Sequence, residues 1–376
     1  MKRRSLCLIF IVFFLALMGK NHVEARARKE TKQDKHVITP LKPVMGWNLG
    51  NSLDTHDLPF NSQNPYDFET FWKNPPVTEK LFVDVKKAGF EAVRIPVTWY
   101  PHMDRTYRIN TQWMDRVQEV VDYGIKNGLY VILNAHHEDW YDPAGNNMER
   151  ALSTMEILWR QIGERFADYD EHLFFEGMNE PRLRNTPYEW NTGTADARKN
   201  INILNKKFVG TIRSMGGNNA IRYLLVPAYC AIISSDTLTD LELPSDNRVI
   251  VSVHLYQPLN FAQNSGRTSS WDPKNTGDTA NINQAMADLE RYLIQKKIPV
   301  MITEFGAVDK QNELDRIAWV RYIRGKTSRL GISCFWWDTG GRKDAIDREY
   351  SLINRYTGEW LFPGITAALT ASYTGK

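Results

Sequence analysis

Cysteine is scarce in this chain. Three thiols in 376 residues cannot build the disulfide framework of a small secreted scaffold, and they are not set at the paired spacings of a thiolate metal site. Cys7 lies in an N-terminal apolar run; Cys230 and Cys334 lie in apolar strand-like segments and are expected to be buried thiols, a disulfide between them being the alternative. A membrane-spanning run is lacking too, because the apolar stretch from Leu6 to Met18 is too short to cross a bilayer comfortably. Lys2, Arg3 and Arg4 precede it and Ala25-Arg26-Ala27 follow, the order of a secretory signal peptide over residues 1–27, with a retained anchor as the alternative. Excess charge is missing as well. Loss of that segment takes five bases and one acid from a formal +3 and leaves −1, and no later basic run makes a phosphate-binding stripe. The expectation is a secreted, extracellular protein with no nucleic-acid partner and no membrane association once the signal is cleaved.

Hydrophobic residues, at 42%, are enough for a large core. Residues 28–43 begin charged and aperiodic and read as a flexible lead-in. From Val44 onward short apolar strands alternate with amphipathic helices, the pattern of a parallel sheet covered by helices. Strand candidates are Met45 to Leu49, Ala92 to Thr98, Tyr130 to Asn134, Leu173 to Met178, Tyr223 to Pro227, Val249 to Leu255, Val300 to Glu304 and Ile332 to Trp337. Eight strands separated by helix-length connections predict a single (β/α)8 barrel over residues 44–376, expected to be a monomer. The periodicity places helices at Gln112 to Lys126, ended by Asn127-Gly128, at Thr279 to Lys297 and at Gln311 to Ser328. Ser234 to Asn247 reads as a loop with at most one helical turn.

Parallel strands bring their C-terminal ends to one rim. Read off in order, those ends carry Asn48 and Asn51, Arg94, His136 and His137, Asn179 and Glu180, His254 and Tyr256, Glu304, and Trp337, whereas the strand bodies are apolar. Two strand-end glutamates, Glu180 and Glu304, suggest paired catalytic carboxyls above the barrel mouth. A histidine and carboxylate cluster could instead hold zinc, but there is no His-Glu-x-x-His helix, and the reading carries no metal and no cofactor.

Tryptophan is abundant, with twelve residues. Trp99, Trp140, Trp271 and Trp337 fall after strands, where flat rings could stack on sugar faces; each has core packing as its plainer reading. Period-two alternation from Ser333 turns Trp337 inward and Trp336 outward to the helix layer.

Seven motifs in order carry a resemblance: Gly46-Trp47-Asn48-Leu49-Gly50-Asn51, Val93-Arg94-Ile95-Pro96-Val97, Asn134-Ala135-His136-His137-Glu138, Met178-Asn179-Glu180-Pro181, His254-Leu255-Tyr256, Thr303-Glu304-Phe305-Gly306 and Phe335-Trp336-Trp337-Asp338. From about Met45 to the C-terminus the chain resembles glycoside hydrolase family five, the retaining cellulase-type barrels. The resemblance implies Glu180 as general acid/base, Glu304 as nucleophile and Asn179 on the sugar 2-hydroxyl. It implies Arg94 and Tyr256 beside the nucleophile, His136 and His254 in the floor of hydrogen bonds, and Trp337 as a stacking platform. Asn51 and Trp271 would be further sugar contacts, and His137 and Trp140 are held as binding candidates. The roles require Glu180 to keep a proton near neutral pH and Glu304 to stay ionised beside Arg94. Trp271 and Trp337, expected on opposite sides of the glutamates, argue for internal cutting of a β-1,4-glucan, with xyloglucan as an alternative substrate. A β-mannanase, an exo-acting glucosidase and a silent sugar-binding barrel are the rival readings.

Overall fold

Eight short runs of buried, largely β-branched and aromatic residues form parallel strands: β1 Met45–Leu49, β2 Ala92–Ile95, β3 Tyr130–Asn134, β4 Leu173–Glu176, β5 Leu224–Ile232, β6 Val249–Leu255, β7 Val300–Phe305 and β8 Ser333–Asp338. Each pairs with the next and β8 returns to β1, closing the barrel. The computed structural model describes residues 42–59, 62–263, 266–341 and 349–373. The signal peptide expected at 1–27, and most of the lead-in, lie outside them.

Helices follow the strands in turn: α1 Glu79–Lys87, α2 Thr111–Lys126, α3 Met148–Arg165, α4 Ala195–Ser214, α5 Ser235–Thr239, α6 Thr276–Tyr292, α7 Glu313–Leu330 and α8 Pro363–Thr370. The expectations at β1, β3 and β6 match residue for residue. Strand β2 ends at Ile95 because Pro96 has no N–H for the ladder. Strand β5 runs five residues past the expected Pro227, through a register shift against β6 between Pro227 and Ile232 where Cys230 and Ala231 both have φ of 50°. Helix α6 starts three residues earlier than expected, where the Asn275 side chain caps it, and it gives way after Tyr292 to a separate turn, Ile294–Lys296. Only one helical turn follows β5, as its polar sequence implied.

The helices bury their apolar stripes against the outer face of the sheet. Trp336 points into that layer, its indole N–H donating to the Tyr350 carbonyl at 2.8 Å, and it packs edge-on to Trp319 of α7. Inside, the Phe335 ring fills the barrel so closely that a Cβ at Gly46 would lie 2.1 Å from it. Glycine is therefore required there for packing. Cys230 and Cys334 are buried free thiols, as expected.

Candidate active site

A barrel interior this apolar can hold charge only where every charge has a partner. Arg94 on β2, fully buried, is the hub. Its Nε donates to Glu176 of β4 at 2.6 Å, Nη1 donates to Glu304 of β7 at 2.7 Å and to Asn48 of β1 at 3.0 Å, and Nη2 donates to the Asn179 side-chain oxygen at 2.7 Å. Asn48 is itself fixed by donating to the Thr303 carbonyl at 2.9 Å, and Asn134 donates to Glu176 at 3.1 Å. One guanidinium thus serves two buried carboxylates and orients an amide whose NH2 is left for a ligand.

Above this hub stand the two rim glutamates. The Tyr256 hydroxyl donates to Glu304 Oε2 at 3.0 Å. His254 Nδ1 lies 2.7 Å from Glu180 Oε1 and 3.4 Å from Glu304 Oε2. An oxygen of Glu180, a nitrogen of His254 and an oxygen of Glu304 all fall within 4.8 Å of one another. That separation belongs with the roughly 5 to 5.5 Å pairs that act by direct attack rather than the wider pairs that leave room for a water.

The protonation order departs from the expectation that Glu180 would be raised and Glu304 held ionised. Burial, the largest influence on both, pushes Glu304 above the usual carboxylate range, since the charges of His254 and Arg94 offset it only in part and Glu180 adds to it. Burial pushes Glu180 up as well, but the His254 hydrogen bond and charge, then Arg182 and His137, outweigh it and hold that carboxyl below the usual range. The reason is geometric: Arg94 divides its charge with Glu176, and the imidazole sits nearer Glu180. His254 is raised despite its burial, by the charge of Glu304 and its bond to Glu180.

On one side of the glutamates Trp337 of β8 stacks parallel to His136 of β3, with centroids 5.5 Å apart and planes 3° from parallel. His136 is neutral, its pKa well below the usual imidazole value because of burial and the adjacent His137. A side chain at Gly50 would run into the Trp337 indole, and Asn51 follows it in a left-handed turn with φ of 57°. His137 sits farther out, its ring 4.6 Å from His56 and 6.1 Å from half-buried Trp72. On the other side a cleft of about 590 Å³ opens from Glu180, His254 and Tyr256 toward Trp190, Leu259 and Gln284.

Two of the expected sugar contacts are not at the cleft. Trp140 is fully buried and its indole N–H donates to Glu138 at 2.7 Å. Glu138 also accepts the Trp99 and Tyr100 backbone N–H groups, so Trp99 and Trp140 are both gathered around one buried acid, pushed up to about 7 by its burial. Trp271 is 4% exposed, donates to the Asp278 carbonyl at 3.1 Å and packs edge-on to Tyr322 of α7. It closes the long β6–α6 connection against the helix layer. The indole that faces solvent beyond Glu180 among the described residues is Trp190, 65% exposed, which the sequence reading passed over. Its signal was legible: it follows Asn185-Thr186-Pro187 in a turn-rich loop only ten residues after Glu180. Trp72, in the loop after β1, was missed in the same way.

Comparison with known proteins agrees with this geometry. Residues 53–343 match the family described as Cellulase (glycosyl hydrolase family 5). The chain is 40% identical over 366 residues to Endoglucanase B of Neocallimastix patriciarum, covering 96% of this chain and 75% of that one. It is 42% identical over 341 residues to Endoglucanase 1 of Ruminococcus albus, covering 88% and 81%. Among solved structures, a GH5-4 broad specificity endoglucanase from Ruminococcus champanellensis with bound cellotriose superposes with a TM-score of 0.83 at 41% identity, covering 88% of this chain and 96% of that one. A xyloglucan-specific endo-β-1,4-glucanase from a metagenomic library, in complex with cellotriose, gives 0.82 at 39%, covering 87% and 95%.

Proposed function

The chain belongs to the cellulases of glycosyl hydrolase family 5, and from that premise we propose that it is a retaining endo-β-1,4-glucanase whose two reacting groups are Glu180 and Glu304. The observation that carries the reading is the His254 nitrogen poised 2.7 and 3.4 Å from the two carboxylates, beside a cleft lined by Glu180, His254 and Trp190. In the first step a Glu304 oxygen bonds to the anomeric carbon as the glycosidic C–O bond breaks, and Glu180 gives its proton to the departing oxygen. In the second, Glu180 takes a proton from water, whose oxygen bonds to the anomeric carbon and releases Glu304. Arg94 and Tyr256 hold the nucleophile by donating to its separate oxygens. Asn179, its oxygen engaged by Arg94, presents its amide to the 2-hydroxyl of the sugar on Trp337, and Asn51, His136 and His137 contact that side of the chain.

Internal cutting rests on Trp337 and Trp190 as rings on opposite sides of the glutamates. The substrate is a cellulose-type or mixed-linkage glucan. Xyloglucan is favoured as a further substrate by the width of the Trp190 side, where Gln257, Asn281, Gln284 and Asp288 line the cleft with polar groups suited to a branch. The protein acts as a monomer, without cofactor or metal, on polysaccharide outside the cell, residues 1–27 serving as the signal. Purified enzyme on a panel of β-glucans, xyloglucan and mannan, followed by viscosity against reducing ends, tests the whole reading. An early fall in glucan viscosity is expected. Glucose released singly would overturn endo action, and faster cleavage of mannan would overturn the glucan assignment.

A further inference from the structure

We propose that Arg182 is a positioning residue for Glu180 and that Trp190, the ring it lies against, is the sugar platform on the leaving-group side, so that one guanidinium joins the aglycone site to the acid/base. The inference rests on the assignment of Glu180 made above and extends it to Arg182, which ties the ring of Trp190 to that carboxyl.

The geometry is specific. Arg182 Nη1 donates to the main-chain oxygen of Glu180 at 3.0 Å and lies 3.7 Å from its Oε2 carboxylate oxygen. Nε donates to Glu189 at 3.1 Å. The guanidinium carbon stands 4.0 Å from the centroid of the Trp190 ring. Glu189 also accepts the Asn185 N–H at 2.9 Å, which closes the 182–190 loop on itself. The cation is thus clamped by a backbone carbonyl, a carboxylate and a ring, and its charge falls on the oxygen of Glu180 that His254 leaves unbonded.

Chemistry then separates the roles. Oε1 is held by His254 and Oε2 is the oxygen available to a departing glycosidic oxygen, so the group beside Oε2 sets where the acid proton rests. Only a planar, delocalised cation can stack on an indole and donate at its edge at once, which a lysine ammonium cannot reproduce. Trp190 uses one face for Arg182 and leaves the other, with most of its surface, to solvent; a large exposed ring at the mouth of a polar cleft fits the apolar face of a pyranose. Loss of the ring frees the guanidinium, and loss of the guanidinium frees Oε2.

Selective ¹³C labelling of glutamate carboxyls, with Glu180 assigned by its disappearance in Glu180→Gln, reads the Glu180 titration with no substrate present. Arg182→Met is expected to raise its midpoint by about one pH unit, because an opposite charge at this range favours the ionised form. Arg182→Lys should restore part of the shift. Trp190→Ala should raise the midpoint by less, raise KM for cellotetraose, and add nothing to the midpoint in the Arg182→Met background. Where methionine prevents folding, Arg182→Gln carries the same expectation. An unchanged midpoint in a folded Arg182 variant overturns the proposal, as does additivity of the two substitutions or an unaltered KM in Trp190→Ala. A wild-type enzyme that cuts no β-glucan would refute the assigned function separately and leave the titration result standing.

Discussion

His254 Nδ1 is hydrogen-bonded to Glu180 Oε1 at 2.7 Å while lying 3.4 Å from Glu304 Oε2. One imidazole therefore lowers both carboxyls, and its removal acts on both limbs of the pH profile. The acidic limb reports ionisation of the nucleophile and the basic limb loss of the acid proton. In His254→Gln both carboxyls rise, so the whole bell of kcat/KM should move to higher pH, with a lower maximum. A profile that narrows without moving would place His254 outside the proton relay.

The close pairing of the carboxyls sets the stereochemistry. Proton NMR of fresh hydrolysate should show the β anomer first, with the α anomer growing only by mutarotation. The α anomer appearing first would mean that Glu304 activates water and never bonds to the sugar.

Glu180→Ala separates acid from nucleophile. Cellotetraose hydrolysis should fall by roughly 10²- to 10⁴-fold, whereas the first step on an activated aryl cellobioside, whose leaving group needs no proton, should fall far less. Equal losses on both substrates would make Glu180 a structural residue.

Arg94 couples activity to stability because it holds Glu176 as well as Glu304. Arg94→Met leaves both carboxylates in the barrel without their cation. The acidic limb should move upward, since Glu304 loses a charge that favours ionisation, and stability should fall by about 3 to 5 kcal/mol. Chemical denaturation and the pH profile measure the two effects on one variant. An acidic limb that stays in place in folded protein would reduce Arg94 to a scaffold residue.

Trp271 and Trp190 give opposite signatures. Trp271→Ala opens a cavity between the β6–α6 connection and α7 and should cost about 3 to 5 kcal/mol, with KM for cello-oligosaccharides unchanged at a temperature where the protein is folded. Trp190→Ala should leave the melting temperature nearly unaltered while KM rises. A KM effect from Trp271→Ala alone would return that ring to the cleft.

The amino-acid sequence by itself determined the barrel, its eight strands and the rim on which the chemistry collects. Those features are local: period-two burial, helix caps and the apolar-to-polar change at each strand end are written in neighbouring residues, so Glu180, Glu304, Arg94 and Trp337 could be found without coordinates. Only the tertiary structure decided which indoles meet solvent and which charges surround each carboxyl. Trp271 is buried because Asp278 and Tyr322, the latter 51 positions away, close over it, whereas Trp190, backed on one face by the Arg182 guanidinium, stays 65% exposed. The acid strength of Glu304 depends on Arg94 also serving Glu176, 82 residues along the chain, and that of Glu180 on His254, 74 residues away. Coulomb energy and desolvation act through space, so a charge shared by three strands leaves no periodic mark in the order of residues.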